Sequence, residues 1–295
     1  MTYDIRHILV PIDMSSSGAA SLQYAAHFSC RLLAPVTVMY ADPLVYPADI
    51  LPAEAVALTA TPEYDSRLHQ EIRDFARVSM RDWPFDVDIR YGPPAPAILR
   101  AAREADARLI VMGSHLHRGW RSALVGSVTS AVIHGASCPV MTVGGRLDGD
   151  KPHITRVLCP INFTDVARQS LRFASMLADV FAAELVVVHV AEPGQPLIAE
   201  SHVRDWIEPE MRQNAKYREV VMRGGPAERV LDCAEDLGAD LLVVGAQHKL
   251  FRDATVIGST TERLIRFADC PVITFPVTLQ RLKTVAVEKE EVTVS

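Results

Sequence analysis

The sequence lacks the usual features of secreted, membrane-spanning and nucleic-acid-binding proteins. Its five cysteines are an odd number without a CxxC pair, which argues against a disulfide framework or zinc site and favours a reducing compartment. No stretch approaches the roughly 18 apolar residues of a membrane helix, and the N-terminal segment lacks the pattern of a signal peptide. The net charge of −6 does not suit nucleic acid or an anionic membrane. We therefore expect a cytoplasmic protein with no nucleic-acid or membrane partner.

Two common phosphate-binding motifs are also missing. The chain contains no GxxxxGK[ST], so it is not a P-loop protein. No GxGxxG follows the first predicted strand, so the dinucleotide-binding fingerprint is absent too.

A long internal repeat dominates what the sequence does contain. The segment Leu109–Val143 matches the segment Leu241–Phe275 without a gap, and matched residues are 132 positions apart. Gly113 thus corresponds to Gly245, and a Cys-Pro-Val triplet lies near the end of both segments. A match of this length indicates that the chain is two copies of one domain.

Apolar runs and helical segments alternate along both copies. Runs such as Arg6–Ile12 have the composition of buried parallel strands, and alternation with helices implies parallel strands joined by right-handed crossovers. Each copy is therefore predicted to be an α/β, doubly wound, five-stranded parallel sheet, with a proline-rich excursion over 44–61 in the first copy. We predict a first domain over 1–146, a linker over 147–152, a second domain over 153–277 and a tail over 278–295.

Residues at the predicted strand ends of the first copy indicate a phosphate site. Ligands of an open parallel sheet bind beyond the carboxyl ends of its strands. There, Asp13 follows the first strand, Gly113 ends the fourth, and Gly126 and Ser127 begin the next helix. A helix start suits phosphate, the hydroxyls of Ser127 and Thr129 are predicted donors, and Asp13 can accept from a sugar or a base. The local inference is a nucleotide; the alternative is ordinary helix capping.

The chain resembles a tandem universal stress protein. The resemblance is carried by VPID near the start, a glycine-proline lead into the third helix, VMGSHLHRG followed by Gly-Ser, and the closing CPV. It covers both copies and leaves out the tail. It implies an adenine-nucleotide α-hydrolase-like fold with strand order 3-2-1-4-5, and a bound ATP or related adenine nucleotide. Mg²⁺ would enter only with ATP.

One departure from the family pattern occurs in both copies. The nucleotide-binding branch of the family has G-x2-G-x9-G-[ST] after the fourth strand. Here the middle glycine is replaced by Leu116 in the first copy and by His248 in the second. A side chain at this position can block the close approach of backbone to ligand.

The resemblance carries the family's ligand contacts over to defined residues. In the first copy they are Pro11, Ile12, Asp13, Tyr40, Met112, Gly113, Gly126, Ser127, Val128 and Thr129. In the second copy, where an asparagine replaces the aspartate, they are Asn162, Val190, Gly245, Gly258, Ser259, Thr260 and Thr261. Because the charge is lost there, the sequence favours the first copy as the nucleotide site.

Other reactive residues are interpreted as structural. His115, His117 and His134 suggest a metal, but the second copy does not repeat the first of them, and we expect no metal site of the protein's own. Cys138 and Cys270 precede prolines without a repeat-matched basic partner, so we expect core residues rather than nucleophiles. No base is evident near the phosphates, so we expect no enzyme.

Three functions remain open at this point. The first is a stress-response module that holds an adenine nucleotide without fast turnover. In it the two copies pair through their fifth strands, as in the family's dimer, and chains assemble into a homo-oligomer. The second is a nucleotide-free protein-interaction scaffold, which Leu116, His248 and Asn162 favour. The third is a weak ATP hydrolase or phosphotransferase.

Overall fold

Two compact units make up the protein, one built mainly from residues 4–132 and the other mainly from residue 154 onward. A computed structural model describes residues 4–42, 61–114, 125–144, 152–196, 198–207, 209, 216–246 and 259–276. Nearly all of the predicted proline-rich excursion lies outside the described residues, as do most of the predicted linker and the predicted tail. Leu116 and His248 also lie outside them.

The first unit is a five-stranded parallel sheet with the strand order β3-β2-β1-β4-β5. Its elements are β1 (Ile8–Ile12), α1 (Ser16–Leu32), β2 (Val36–Asp42), α2 (Pro62–Met80), β3 (Asp86–Tyr91), α3 (Pro94–Glu104), β4 (Leu109–Gly113), α4 (Ser127–Gly135) and β5 (Val140–Val143).

The second unit has the same topology, with the strand order β8-β7-β6-β9-β10. Its elements are β6 (Arg156–Ile161), α5 (Asp165–Phe181), β7 (Glu184–Ala191), α6 (Glu200–Trp206), β8 (Tyr217–Arg223), α7 (Pro226–Leu237), β9 (Leu241–Gly245), α8 (Ser259–Phe267) and β10 (Val272–Phe275). The predicted fold class and strand order are confirmed. The short helix α6 is an addition that the sequence pattern does not predict.

The central strands are buried on both faces, because helices cover both faces of each sheet. Every residue of β1 and β4 is buried, whereas β3 and β8 at the outer ends are partly exposed. This explains why the sequences of the central strands are unbroken apolar runs. None of the helices in the described part of the chain is long and apolar enough to span a membrane.

Local chemistry accounts for where the helices begin and end. α1 and α5 start after hydroxyl N-caps: Ser15 accepts from the backbone N–H of Gly18, and Thr164 accepts from that of Ala167. α3 begins at Pro94, since proline is well tolerated in a first helical turn. α2 ends at Met80, where the backbone N–H of Arg81 donates to the carbonyl of Arg77.

Candidate functional site

The turn between the first strand and first helix has the same geometry in both units. In the first unit, Oδ1 of Asp13 accepts hydrogen bonds from Oγ and N of Ser15, at 2.6 and 3.1 Å. In the second, Oδ1 of Asn162 accepts from Oγ1 and N of Thr164, at 2.7 and 3.4 Å. The replacement of aspartate by asparagine therefore preserves the turn and removes its charge. What changes is the second polar group of the side chain: a carboxylate oxygen in one unit and an amide N–H₂ donor in the other.

The residue after this aspartate or asparagine is left-handed in both units. Met14 has φ of 57° and Phe163 has φ of 61°, a region that costs a non-glycine residue roughly 1–2 kcal/mol. Such conformations persist where surrounding contacts enforce them, and they cluster at ligand sites.

An aromatic cluster holds this turn in the second unit. The ring of Phe163 lies 4.6 Å from that of His189, 5.9 Å from that of His202 and 5.4 Å from that of Trp206, centroid to centroid. The guanidinium carbon of Arg168 lies 4.1 Å from the Trp206 ring centroid, and its Nη1 donates to the Trp206 carbonyl at 3.0 Å. Helix α6 is thereby attached both to the turn and to α5.

A cavity of about 400 Å³ lies beyond the carboxyl ends of β6, β7 and β9 in the second unit. That volume is within the range of small-molecule sites, about 300–1,000 Å³. The predicted residues that line it are Asn162, Val190, Gly245, Ser259, Thr260 and Thr261. Gly258, also predicted, lies outside the described residues. The structure thus brings the described part of the second-copy set together around one cavity.

Further lining residues were not among the predicted set: Pro160, Ile161, Thr164, Val166, Ala167, Val188, Glu192, Gln195, Pro226, Val230 and Val244. Pro160, Ile161 and Val244 are the repeat counterparts of residues carried over in the first copy, so the repeat itself could have identified them. Ala191-Glu192-Pro193 repeats the pattern of Ala41-Asp42-Pro43 after the second strand of the first copy, so the repeat could have identified Glu192 but not Gln195.

Apolar and polar residues line different parts of the cavity. Val188 and Val190 of β7 and Pro226 and Val230 of α7 form an apolar section of the lining. Asn162 and Thr164 supply polar groups from the turn after β6, and the hydroxyls of Ser259 and Thr260 lie at the start of α8. A helix start offers backbone N–H groups and a partial positive charge. The arrangement suits a ligand with an apolar planar part and an anionic end.

The first glycine of the family motif is required by packing in both units. A Cβ on Gly113 would lie 2.6 Å from Oγ and 2.8 Å from Cβ of Ser17. A Cβ on Gly245 would lie 2.7 Å from Cγ1 of Val166. Any side chain there would push the first helix of the unit away from the end of the fourth strand, so the glycine serves the fold whether or not a ligand binds.

The predicted role of Thr129 as a ligand donor requires correction. Its fully buried hydroxyl donates to the carbonyl of Gly113 at 3.2 Å. Thr261 donates in the same way to the carbonyl of Gly245 at 2.9 Å. A hydroxyl has one hydrogen, so these side chains join the helix start to the strand end instead of donating to phosphate.

Tyr40, which the resemblance assigns to the ligand at the end of the second strand, has His189 and not Val190 as its equivalent in the second unit. Tyr40 pairs with Ile12 as His189 pairs with Ile161, so the two residues are equivalent. Side chains alternate along a strand, and Val188 and Val190 face the cavity, so position 189 points to the other face. Burial raises the pKa of Tyr40, with further contributions from the carboxylates of Asp42, Asp13 and Glu71.

The other predicted residues of the first unit lie at the matching strand ends. Pro11, Ile12 and Met112 are buried there, and the Asp13 side chain is exposed. Gly126 and Val128 are half-buried at the start of α4, where Ser127 is exposed.

The cysteines do not form a reactive centre. All five are unpaired, and Cys30 is exposed. Burial raises the pKa of Cys159 and of Cys270 to about 12, which keeps both thiols protonated at neutral pH. His134 lies on α4, whereas His115 and His117 are outside the described residues. Among the residues that the structure describes, no group of three His, Cys, Asp or Glu could hold a metal ion.

Comparisons with known proteins agree on one family. The family model described as Universal stress protein family matches residues 4–144 and 153–276. A universal stress protein of Mycobacterium tuberculosis is 25% identical over 284 residues, which cover 90% of this chain and 95% of that protein. A universal stress protein of Mycolicibacterium smegmatis is 25% identical over 289 residues, with the same coverage of both chains.

Solved structures share the fold over almost the whole chain. A universal stress protein from Archaeoglobus fulgidus DSM 4304 superposes with a TM-score of 0.71 at 20% identity, covering 93% of this chain and 97% of that one. A protein from Pseudomonas aeruginosa PAO1 superposes with a TM-score of 0.63 at 16% identity, covering 96% and 98%.

Proposed function

We propose that the chain, which belongs to the universal stress protein family, is a stress-response regulatory module that binds ATP or a related adenine nucleotide without fast turnover. The observation that carries the proposal is the cavity of the second unit, which collects the described family-matched residues of that copy at the carboxyl ends of its strands. The five unpaired cysteines suit the reducing cytoplasm.

The separation of polar and apolar lining residues supports one orientation of a bound nucleotide. Ser259 and Thr260 at the start of α8 suit the phosphates, because N–H groups and the helix dipole both favour an anion there. The Asn162 turn then lies beside the sugar. The apolar section between β7 and α7 receives the base, whose flat faces pack against Val188, Val190 and Val230.

The two units differ in the group at this turn, which is a carboxylate in the first and an amide in the second. Beside a sugar, the Asn162 amide can both donate and accept, whereas the Asp13 carboxylate only accepts. Asparagine is therefore compatible with the proposed orientation. The cavity lined by the family-matched residues carries the assignment to the second unit, although the sequence favours the first.

Slow or absent turnover fits the position of the acidic group in the cavity. Hydrolysis requires a base or metal near the attacked phosphate. Among the described lining residues the carboxylate is that of Glu192, which follows β7. β7 is two strands away from β9, after which α8 begins. Glu192 is thus placed at the opposite end of the cavity from the helix start that suits phosphate.

Two measurements test the proposal. Denaturing the purified protein should release an adenine nucleotide that chromatography identifies, and millimolar ATP should raise the melting temperature. Thr260→Glu should abolish that shift, because it places a carboxylate against the phosphates while remaining a favourable residue in a first helical turn. The matched control is Val128→Glu, the same change at the repeat-equivalent position of the first unit.

The outcomes separate the candidate functions. Loss of the shift in Thr260→Glu with its retention in Val128→Glu supports the second-unit site. The reverse pattern would move the site to the first unit. No released nucleotide together with no ATP-dependent shift would contradict nucleotide binding and favour a protein-interaction scaffold. Pairing of the two copies and assembly into a homo-oligomer stay predictions; analytical ultracentrifugation tests the second, because it measures the mass of the assembly.

A further inference from the structure

We propose that Glu192, assisted by Gln195, makes the second-unit cavity selective for a base that presents an amino group, adenine over hypoxanthine. The proposal rests on the nucleotide function proposed above and adds the group that selects the base. It concerns side chains that lie directly after β7.

Glu192 and Gln195 form the turn that leaves β7. Glu192 is the first residue after the strand, and the backbone N–H of Gln195 donates to its carbonyl at 3.0 Å. This bond closes a tight turn that keeps the two side chains at one place on the rim. Both residues line the cavity, Glu192 half-buried and Gln195 exposed.

The order of the strands places this turn opposite the phosphate end. β9, whose following helix is α8, is separated from β7 by β6. Adjacent strands are about 4.8 Å apart, so the ends of β9 and β7 are roughly 10 Å apart. A nucleotide with its phosphates at α8 therefore extends its base toward β7.

The apolar section then determines which part of the base lies near Glu192. Val188 and Val190 alternate along β7 on the cavity face, and Pro226 and Val230 lie one helical turn apart on α7. These side chains suit the faces of a planar ring. The edge of the ring is left to point beyond the end of β7, where the turn residues lie.

Hydrogen-bond chemistry decides which base edge is accepted. An ionised carboxylate only accepts hydrogen bonds. The amino group of adenine donates to such an oxygen, while hypoxanthine has a carbonyl oxygen at the same ring position and would face it acceptor to acceptor. The Gln195 amide can both donate and accept, so it can serve the neighbouring ring nitrogen.

The test compares ATP with ITP, which differ at this ring position and carry the same phosphates. Binding to the full chain is measured by equilibrium dialysis in the Val128→Glu variant. This substitution removes binding by the first unit, so the measured affinity is that of the second unit. Because the site is half-exposed, we expect ATP to bind only about tenfold more tightly than ITP, well below the discrimination of a buried site. Glu192→Gln should bring the two affinities to within about twofold, since an amide also offers a donor to the carbonyl oxygen.

The control variant is Glu235→Gln, which makes the same charge change at an exposed position of α7 away from the cavity. It should leave the ratio of ATP to ITP affinity unchanged. A third nucleotide, 2′-deoxy-ATP, tests whether Glu192 instead accepts from the ribose.

Three results would overturn the inference while leaving nucleotide binding intact. They are equal affinities for ATP and ITP in the parent chain, a ratio that Glu192→Gln does not change, and a Glu192-dependent loss of affinity for 2′-deoxy-ATP with none for ITP. Failure of all three nucleotides to bind would contradict the proposed function itself.

Discussion

The ring of Phe163 lies 4.6 Å from the imidazole ring of His189, centroid to centroid. This contact joins a left-handed residue in the cavity turn to the face of β7 that points away from the cavity. Together with Trp206 on α6, it explains how a non-glycine residue is held at φ of 61°. Packing on the face of β7 that points away from the cavity therefore stabilises this turn of the second unit.

Replacing this residue by glycine should separate packing from backbone strain. Phe163→Gly removes the ring and should lower the free energy of unfolding of the second unit by about 1–3 kcal/mol, since the side chain is half-buried. Met14→Gly at the equivalent position should change that of the first unit by less than about 1 kcal/mol. Chemical denaturation followed by circular dichroism measures both. Equal effects would contradict the bracing role of the cluster.

Gly245→Ala should destabilise the second unit by about 1–3 kcal/mol, because its Cβ would overlap Val166. The double variant with Val166→Ala should recover most of that loss, as expected for two residues in direct contact. In the first unit, Ser17→Ala should not rescue Gly113→Ala, because Cβ of residue 17 would still lie 2.8 Å away.

These double-mutant cycles are read from denaturant midpoints without nucleotide. Rescue in both units, or in neither, would contradict the packing that distinguishes them.

Thr129→Val should lower the free energy of unfolding by about 1 kcal/mol, because the carbonyl of Gly113 loses its buried donor. Thr129→Ser keeps the hydroxyl and should cost less. The same pair of changes at Thr261 should behave alike, since its hydroxyl donates to Gly245. Thermal unfolding measures all four variants, and valine variants as stable as the serine variants would show that these bonds contribute nothing.

Thiol labelling should find one fast cysteine in the native protein. Cys30 is exposed, whereas burial raises the pKa of Cys159 and Cys270 to about 12. A raised pKa means that the reactive thiolate appears only as the pH approaches that value, so both should stay unreactive at pH 8. Ellman's reagent should thus titrate one thiol in native protein and five in denaturant. The fast reaction should disappear in Cys30→Ser; its persistence would show that a second thiol reacts and would contradict the assignment to Cys30.

The fold could be predicted from sequence because the repeat and the strand-helix alternation are strong local signals. The two copies keep the same apolar runs, so one topology explains both. Helix α6 could not be predicted, because its seven residues are held by contacts with Phe163 and Arg168 that come from distant positions.

The candidate site was only partly predictable, and the reasons are geometric. The face of the sheet on which a side chain lies depends on the register of the strand. The resemblance assigns both Tyr40 and Val190 to the ligand, but the residue equivalent to Tyr40 is His189, one position before Val190. Thr129 and Thr261 look like free hydroxyls until the strand end is placed beside them. Glu192 matches Asp42 of the first copy in an Ala-acidic-Pro pattern, but that match alone does not place its side chain at the cavity.

Photolabelling locates the base of the bound nucleotide most directly. The full chain is irradiated with 8-azido-ATP, with and without excess ATP, and the labelled peptides are mapped by mass spectrometry. The structure predicts an ATP-protectable label on the segment from Val188 to Gln195 or on the facing start of α7. A protectable label confined to the first unit, or no protectable label at all, would contradict a nucleotide site in the second unit.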